Sequence, residues 1–155
     1  GACGPPWRAA VVMGTGGGSV AAMGLGADGG QVGTRFALPR ESSACDGFKS
    51  LCLSLNEGDT VLSLKKVAPT RIIRKDFFRA VEEAENRGAT AEELQALLGR
   101  GRSRKGIFEG DLSQGDLEIG QISSLLKTIP TAADIINNIV DEYNHKLQAM
   151  TGPSL

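Results

Sequence analysis

The stretch GADGGQVGTRF, Gly26 to Phe36, decides how the rest of the chain is read. Its make-up is that of a short buried strand, Gln31-Val32-Gly33, feeding a loop, Gly33-Thr34, after which Arg35 opens a helix. Glycine lets a main chain approach an anion closely, and the first N–H groups of a helix lack internal partners and carry the positive end of its dipole. A loop of this kind suits a phosphate. A Gly-Thr pair alone is also the mark of a ligand-free strand-to-helix turn, so its meaning depends on what surrounds it.

Upstream, Ala9 to Met13 (AAVVM) is an apolar run of the kind that forms a strand buried on both faces, and GTGGGS follows as a loop. Val20 to Leu25 reads as a short helix stopped by Gly26. Strand, glycine-rich loop, helix, strand, loop, helix is a βαβα run. It predicts parallel strands with ligands bound at their carboxyl ends. Eleven of the 21 glycines lie in the first 33 residues, so strand-end loops concentrate there and the remainder is mostly helical.

The 155 residues, 41% hydrophobic and 23% charged, suit one globular core. A formal charge of -1 gives no global attraction to nucleic acid or to an acidic membrane. Cys3, Cys45 and Cys52 form no CxxC pair, which argues for reduced thiols in a cytoplasmic setting and against a metal site. The run Ala9 to Leu25 is broken by glycines and makes a poor membrane span, and Gly1 to Arg8 (GACGPPWR) has no period and reads as an irregular tail.

Beyond Pro39 the spacing predicts a helix over Gly47 to Leu55 and an extended piece over Thr60 to Leu64. A strong helix is expected from Pro69-Thr70 to Gly88, with Ile73, Phe77, Ala80, Val81 and Ala84 on one stripe. Thr90 to Glu93 is a capping box ahead of Leu94, Leu97 and Leu98. A polar connection follows from Gly101 to Gly115, then a short helix over Leu117 to Leu126. The last helix runs from Ala132 to about Ala149, capped by Thr131, with Ile135, Ile136, Ile139, Val140, Tyr143 and Leu147 as its buried stripe.

Three patterns invite a chemical reading. Gly14 to Ser19, as GxGxxS after a strand, resembles a dinucleotide fingerprint, but about seven residues of helix are too few for a Rossmann crossover and no acidic residue ends the next strand. The basic run Arg100, Arg102, Arg104, Lys105 lacks aromatic partners and a groove-reading helix, and reads as a solvated loop. His145, the only histidine, has no partner nearby in sequence and reads as a surface side chain. Asp28, Asp59, Glu109, Asp111 and Asp116 have no spacing that forces two together, so no catalytic residue is named.

Taken with its neighbours, the opening stretch carries a resemblance. GADGGQVGTRFAL, then SLNEGDTVLSLKKVAPTRIIRKDFFRAVEEAENRGATAEELQALLGRGRSRKGIFEGDL, then LEIGQISSLL and a closing amphipathic helix resemble the C-terminal half of the nitronate monooxygenase family, which also contains flavin-dependent enoyl-ACP reductases. The resemblance implies an α/β fold, a partial TIM barrel made of the last two βα units followed by a C-terminal helical segment. It divides the chain into a tail over 1–8, βα units over 9–38 and a mostly helical subdomain over 39–155. It implies FMN, its phosphate held by main-chain amides, with Gly33 and Thr34 matching one loop and Gly16 and Gly17 the preceding one. MGTGGGS, Gly30 and Cys45-Asp46 depart from the pattern of relatives. A closed barrel takes roughly 250 residues, so the expected partners are a small-molecule substrate and either a second copy or a complementary barrel half. The expected activity is oxidation of alkyl nitronates with dioxygen. Enoyl-ACP reduction, or a non-catalytic binding or assembly module, are the alternatives.

Overall fold

The computed structural model describes residues 8–10 and 14–152. Val11, Val12 and Met13, most of the first expected strand, and the tail up to Trp7 lie outside that description. The fold is mixed α/β and about half helical. It divides into two compact units, one from Gly1–Glu41 with Pro130–Leu155 and the other from Ser42–Ile129.

In the first unit, β1 (Arg8–Ala9) pairs in parallel with β2 (Gly29–Gly30), in the register Arg8 to Gly29 and Ala9 to Gly30. The Gln31 N–H continues the ladder to the Ala9 carbonyl at 2.8 Å. The second strand thus lies two residues earlier than Gln31 to Gly33. Parallel pairing holds.

The helix between them, α1 (Gly16–Gly24), starts four residues before the expected Val20. Gly16 to Ser19, expected as loop, is its first turn. The reason is Thr15: in extended conformation, its hydroxyl accepts from the Gly18 N–H at 3.1 Å, which caps the helix despite glycine's poor propensity. Gly26, at φ +96, lies just past the helix end as expected. The short α2 (Thr34–Ala37) follows β2, one residue earlier than Arg35.

The unit closes with the 20-residue α7 (Ala132–Thr151). Its capping box is complete: the Thr131 N–H donates to Asp134 Oδ2 at 3.1 Å and the Asp134 N–H to Thr131 Oγ1 at 3.1 Å. The same hydroxyl holds the Asp134 carboxyl below the usual carboxylate range. α1 lies against α7, and Gly16 is where they meet most closely. A Cβ there would overlap the Tyr143 backbone nitrogen and the Glu142 Cβ. Of the expected α7 stripe, Ile135 is fully buried and Ile139 and Tyr143 partly so, whereas Ile136, Val140 and Leu147 are exposed.

In the second unit, α3 (Asp46–Leu53) buries Phe48 and Cys52 and packs against a 3-10 turn at Gln121–Leu125. β3 (Thr60–Ser63) and β4 (Thr70–Ile73) form an antiparallel hairpin with Thr60 opposite Ile73 and Ser63 opposite Thr70. This corrects the expected helix start at Pro69. Thr70, Ile72 and Ile73 are β-branched and favour the pleated surface, and α4 (Asp76–Asn86) begins only at Asp76. Gly88 ends it at φ +85, and α5 (Ala91–Leu98) carries the Thr90–Glu93 capping box. Leu64, Ile72, Phe77, Phe78, Val81, Ala84, Ala89 and Leu94 form one core between the hairpin and these helices.

The polar connection contains α6 (Arg102–Ile107), and Leu117 to Ile119 is extended rather than helical. The Ile73 N–H donates to the Leu117 carbonyl at 3.0 Å and the Ile119 N–H to the Arg71 carbonyl at 3.2 Å, with Ile72 facing Glu118. That segment is therefore a third antiparallel strand in effect. Its partner, β4, was unforeseen, so the pairing was too.

Candidate functional site

β1 and β2 run in parallel, and the segment that follows β2 meets the residues just ahead of α1. A side chain of one loop then secures the other: Arg35 Nη1 donates to the Gly14 carbonyl at 2.7 Å. The pair is thus a built feature of the first unit. Gly33 is exposed, no side chain caps α2 there, and a Cβ on it would meet nothing within 4 Å. Gly17 likewise faces open space. An anion can approach the main chain at both.

Gly16 is placed differently. Its N–H donates to Glu142 Oε2 at 2.8 Å, so a carboxylate already lies at the start of α1, and its Cα is packed on α7. The Gly18 N–H goes to Thr15. A phosphate here would face the Glu142 charge. Of the four residues, Gly33 and Gly17 have open space where a side chain would point, Thr34 is half-buried at the start of α2, and Gly16 packs against α7.

Two members of the basic run are engaged within the second unit. Arg102 Nε donates to the Leu98 carbonyl at 2.9 Å, Nη1 to the Gln114 carbonyl at 2.6 Å, and its guanidinium lies 4.7 Å from the Phe77 ring centroid. Arg104 pairs with Glu109 at 3.0 Å. His145 is exposed on α7, and Gln121 is exposed at the start of the 3-10 turn. A hollow of about 160 Å³ beside α3 and β4, lined by Leu51, Leu55, Asp59, Ile73 and Arg74 among others, is small beside the roughly 300 Å³ at which ligand pockets begin. Burial pushes the Cys52 thiol up to about 12. No metal-holding group of three or more His, Cys, Asp or Glu occurs among the described residues, and no helix of theirs is long and apolar enough to cross a membrane.

One cluster escaped the sequence reading. Asp116 and Glu118 stand two apart on an extended segment and so share a face. Ser103, from α6, bridges them, its hydroxyl 2.5 Å from Glu118 Oε1 and 3.4 Å from Asp116 Oδ2. Asp116 is 1% exposed, and its Oδ1 has no hydrogen-bond partner. Burial, reinforced by the Glu118 charge, pushes the Asp116 carboxyl up to about 7. The alternation Asp-Leu-Glu-Ile held the signal, but only once the segment is known to be a strand.

The nitronate monooxygenase family profile matches residues 6–142, and this chain belongs to that family. Its members are flavin-dependent oxidoreductases.

Among solved structures, FabK from Thermotoga maritima is 31% identical with a TM-score of 0.87, over 96% of this chain and 47% of that one. A nitroalkane oxidase from Streptomyces ansochromogenes is 25% identical with a TM-score of 0.74, over 93% of this chain and 41% of that one. A curated relative, (3aS,4S,5R,7aS)-5-hydroxy-7a-methyl-1-oxo-octahydro-1H-indene-4-carboxyl-CoA dehydrogenase of Rhodococcus jostii (strain RHA1), is 28% identical over 86% of this chain and 48% of its own length. The chain spans about half the length of each of these relatives.

Proposed function

We propose that this chain is the C-terminal part of an FMN-dependent oxidoreductase of the nitronate monooxygenase type, carrying the last two βα units of a TIM barrel and a helical segment. The observation that carries the reading is the Arg35 to Gly14 bond, which joins the two strand-end loops of a chain in a flavin-dependent family. Gly33 and Thr34 would receive the FMN phosphate on their main chain, with Gly17 approaching from the first turn of α1. Glu142 keeps the start of α1 occupied by a carboxylate, which directs the phosphate toward α2. FMN, when bound, would supply the electron transfer from an alkyl nitronate to dioxygen. Arg35 contributes by holding the Gly14 carbonyl on its own guanidinium.

A second reading is supported by the stronger likeness to FabK, an enoyl-ACP reductase. In that case the same phosphate corner would serve reduction of an enoyl thioester with a nicotinamide donor. Under either reading the small-molecule substrate is met with the help of a further set of strands, from a complementary barrel half or a second copy.

Titration with FMN against riboflavin, followed by flavin fluorescence, tests the phosphate corner. Saturable binding of FMN with at least tenfold weaker binding of riboflavin is expected, and Gly33→Val is expected to abolish the difference. Equal affinity for both flavins, or binding of neither in the presence of a complementary barrel half, would overturn it. Turnover of a nitronate with dioxygen against an enoyl thioester with a nicotinamide then separates the two activities.

A further inference from the structure

The Asp116, Glu118 and Ser103 cluster has more acceptors than protons. Ser103 carries one hydroxyl hydrogen, yet its oxygen lies within reach of both carboxylates, at 2.5 Å and 3.4 Å, while Asp116 Oδ1 has no partner at all. With both carboxylates ionised, one hydrogen serves a buried anion and a half-buried one. One added proton on Asp116 turns an acceptor into a donor and removes a buried charge.

The cluster lies where three pieces of the second unit join. The Asp116 N–H donates to the Arg102 carbonyl at 3.1 Å, and the next residues, Leu117 and Ile119, are hydrogen-bonded to β4. Gly115 lies directly on Gly106 of α6, where a Cβ on either would strike the other's backbone or its neighbours. The charged groups acting on Asp116 are Glu118 on its own strand and the Arg102 guanidinium from α6, which is already engaged with Leu98, Gln114 and Phe77. From β4 the neighbours are Ile72 and Ile73, both buried. Nothing there replaces the missing hydrogen.

We propose that Asp116 is a proton-operated latch: protonated, it fastens the Asp116–Ile119 segment to α6 and to the β3–β4 hairpin, and on losing its proton it releases that segment and the Gly120–Gln121 turn that follows. The latch requires no ligand, so its fate is independent of the flavin reading. The release falls near neutral pH, where burial and Glu118 set the Asp116 carboxyl.

Amide hydrogen exchange on the full chain at about pH 6 and pH 8, expressed as protection factors, tests this. The Ile73 and Ile119 amides are expected to lose at least tenfold in protection at the higher pH, while the Leu94 amide inside the capped α5 does not. Asp116→Asn, which keeps a donor at every pH, should hold the Ile73 and Ile119 protection constant. Glu118→Gln, which removes the neighbouring charge, should move the loss to lower pH, because ionising Asp116 then costs less. The net result is read directly, because a carboxyl 13C titration of Asp116 must show its midpoint move with the protection loss. Equal protection ratios in the wild type and Asp116→Asn, or a carboxyl midpoint near 4 in the folded chain, would overturn the latch.

Discussion

At the scale of single residues, two side-chain positions divide the work between packing and charge. Gly16 is the tightest point between α1 and α7, where a methyl group would overlap backbone rather than a side chain that can turn away. Gly16→Ala is therefore expected to lower stability by about 1–3 kcal/mol, the ordinary cost of overpacking, in urea titration, while Gly17→Ala, in open space, leaves the midpoint within error. Asp116 acts through charge. Its folded-state carboxyl lies near 7 against 3.8 as the ordinary value, so between those limits the folded chain holds a proton that the unfolded chain has released. The stability it contributes is full below the ordinary value and is lost as pH rises through about 7. Asp116→Asn lacks that dependence, and the melting temperature of the variant should overtake that of the wild type as pH passes neutrality.

At the scale of elements, capping was the most legible signal. Thr90 and Thr131 each precede an acidic residue by three positions, and both boxes form as the spacing predicts. Thr131→Ala is expected to cost about 1 kcal/mol of stability, with fraying of the first turn of α7 seen as faster exchange at Asp134 and Ile135. Equal exchange in variant and wild type would show that Glu41, whose carboxylate accepts the Ala132 N–H at 3.1 Å, suffices as a cap. The failures have physical causes as well. Thr15 was an N-cap hidden by the glycines after it, because propensity argued for a loop where a capping hydroxyl and packing on α7 made a helix. Ile72 and Ile73 fit a helical stripe and a strand equally well, and the hairpin prevailed because β4 gains partners on both sides, β3 and the Leu117 to Ile119 segment. Asp116 and Glu118 became neighbours through the same unforeseen strand. The parallel pairing of the first two strands was legible from the strand-helix-strand order, whereas the Gly16 to Glu142 bond joins residues 126 positions apart and has no local signature.

At the scale of the whole molecule, the first unit leaves apolar surface uncovered. Ile136 and Val140 are 54% and 48% exposed, one helical turn apart on α7, with Leu147 farther along, and Leu25 at the end of α1 is 83% exposed. Beside them β1 and β2 form a two-stranded parallel pair, an arrangement that other proteins cover on both faces and extend with further strands. Apolar area left in water forgoes about 25 cal/mol per Å², so burying this face is favourable whenever a complementary surface is offered. The chain spans about half the length of the relatives it matches, and under the function proposed above the cover would be the strands and helices of a barrel half. Ile136→Lys with Val140→Glu places charges on the exposed face while keeping helix-compatible residues and avoiding Ile135, which is fully buried. In sedimentation velocity the wild-type chain is expected to associate with rising concentration, and the double variant to stay monomeric with unchanged circular dichroism. A complementary barrel half added to the wild type should replace self-association with a one-to-one complex that the double variant fails to form. A wild-type chain that remains monomeric at all concentrations, and ignores the added half, would mean that this face is stable in water and that the uncovered stripe has no partner of barrel type.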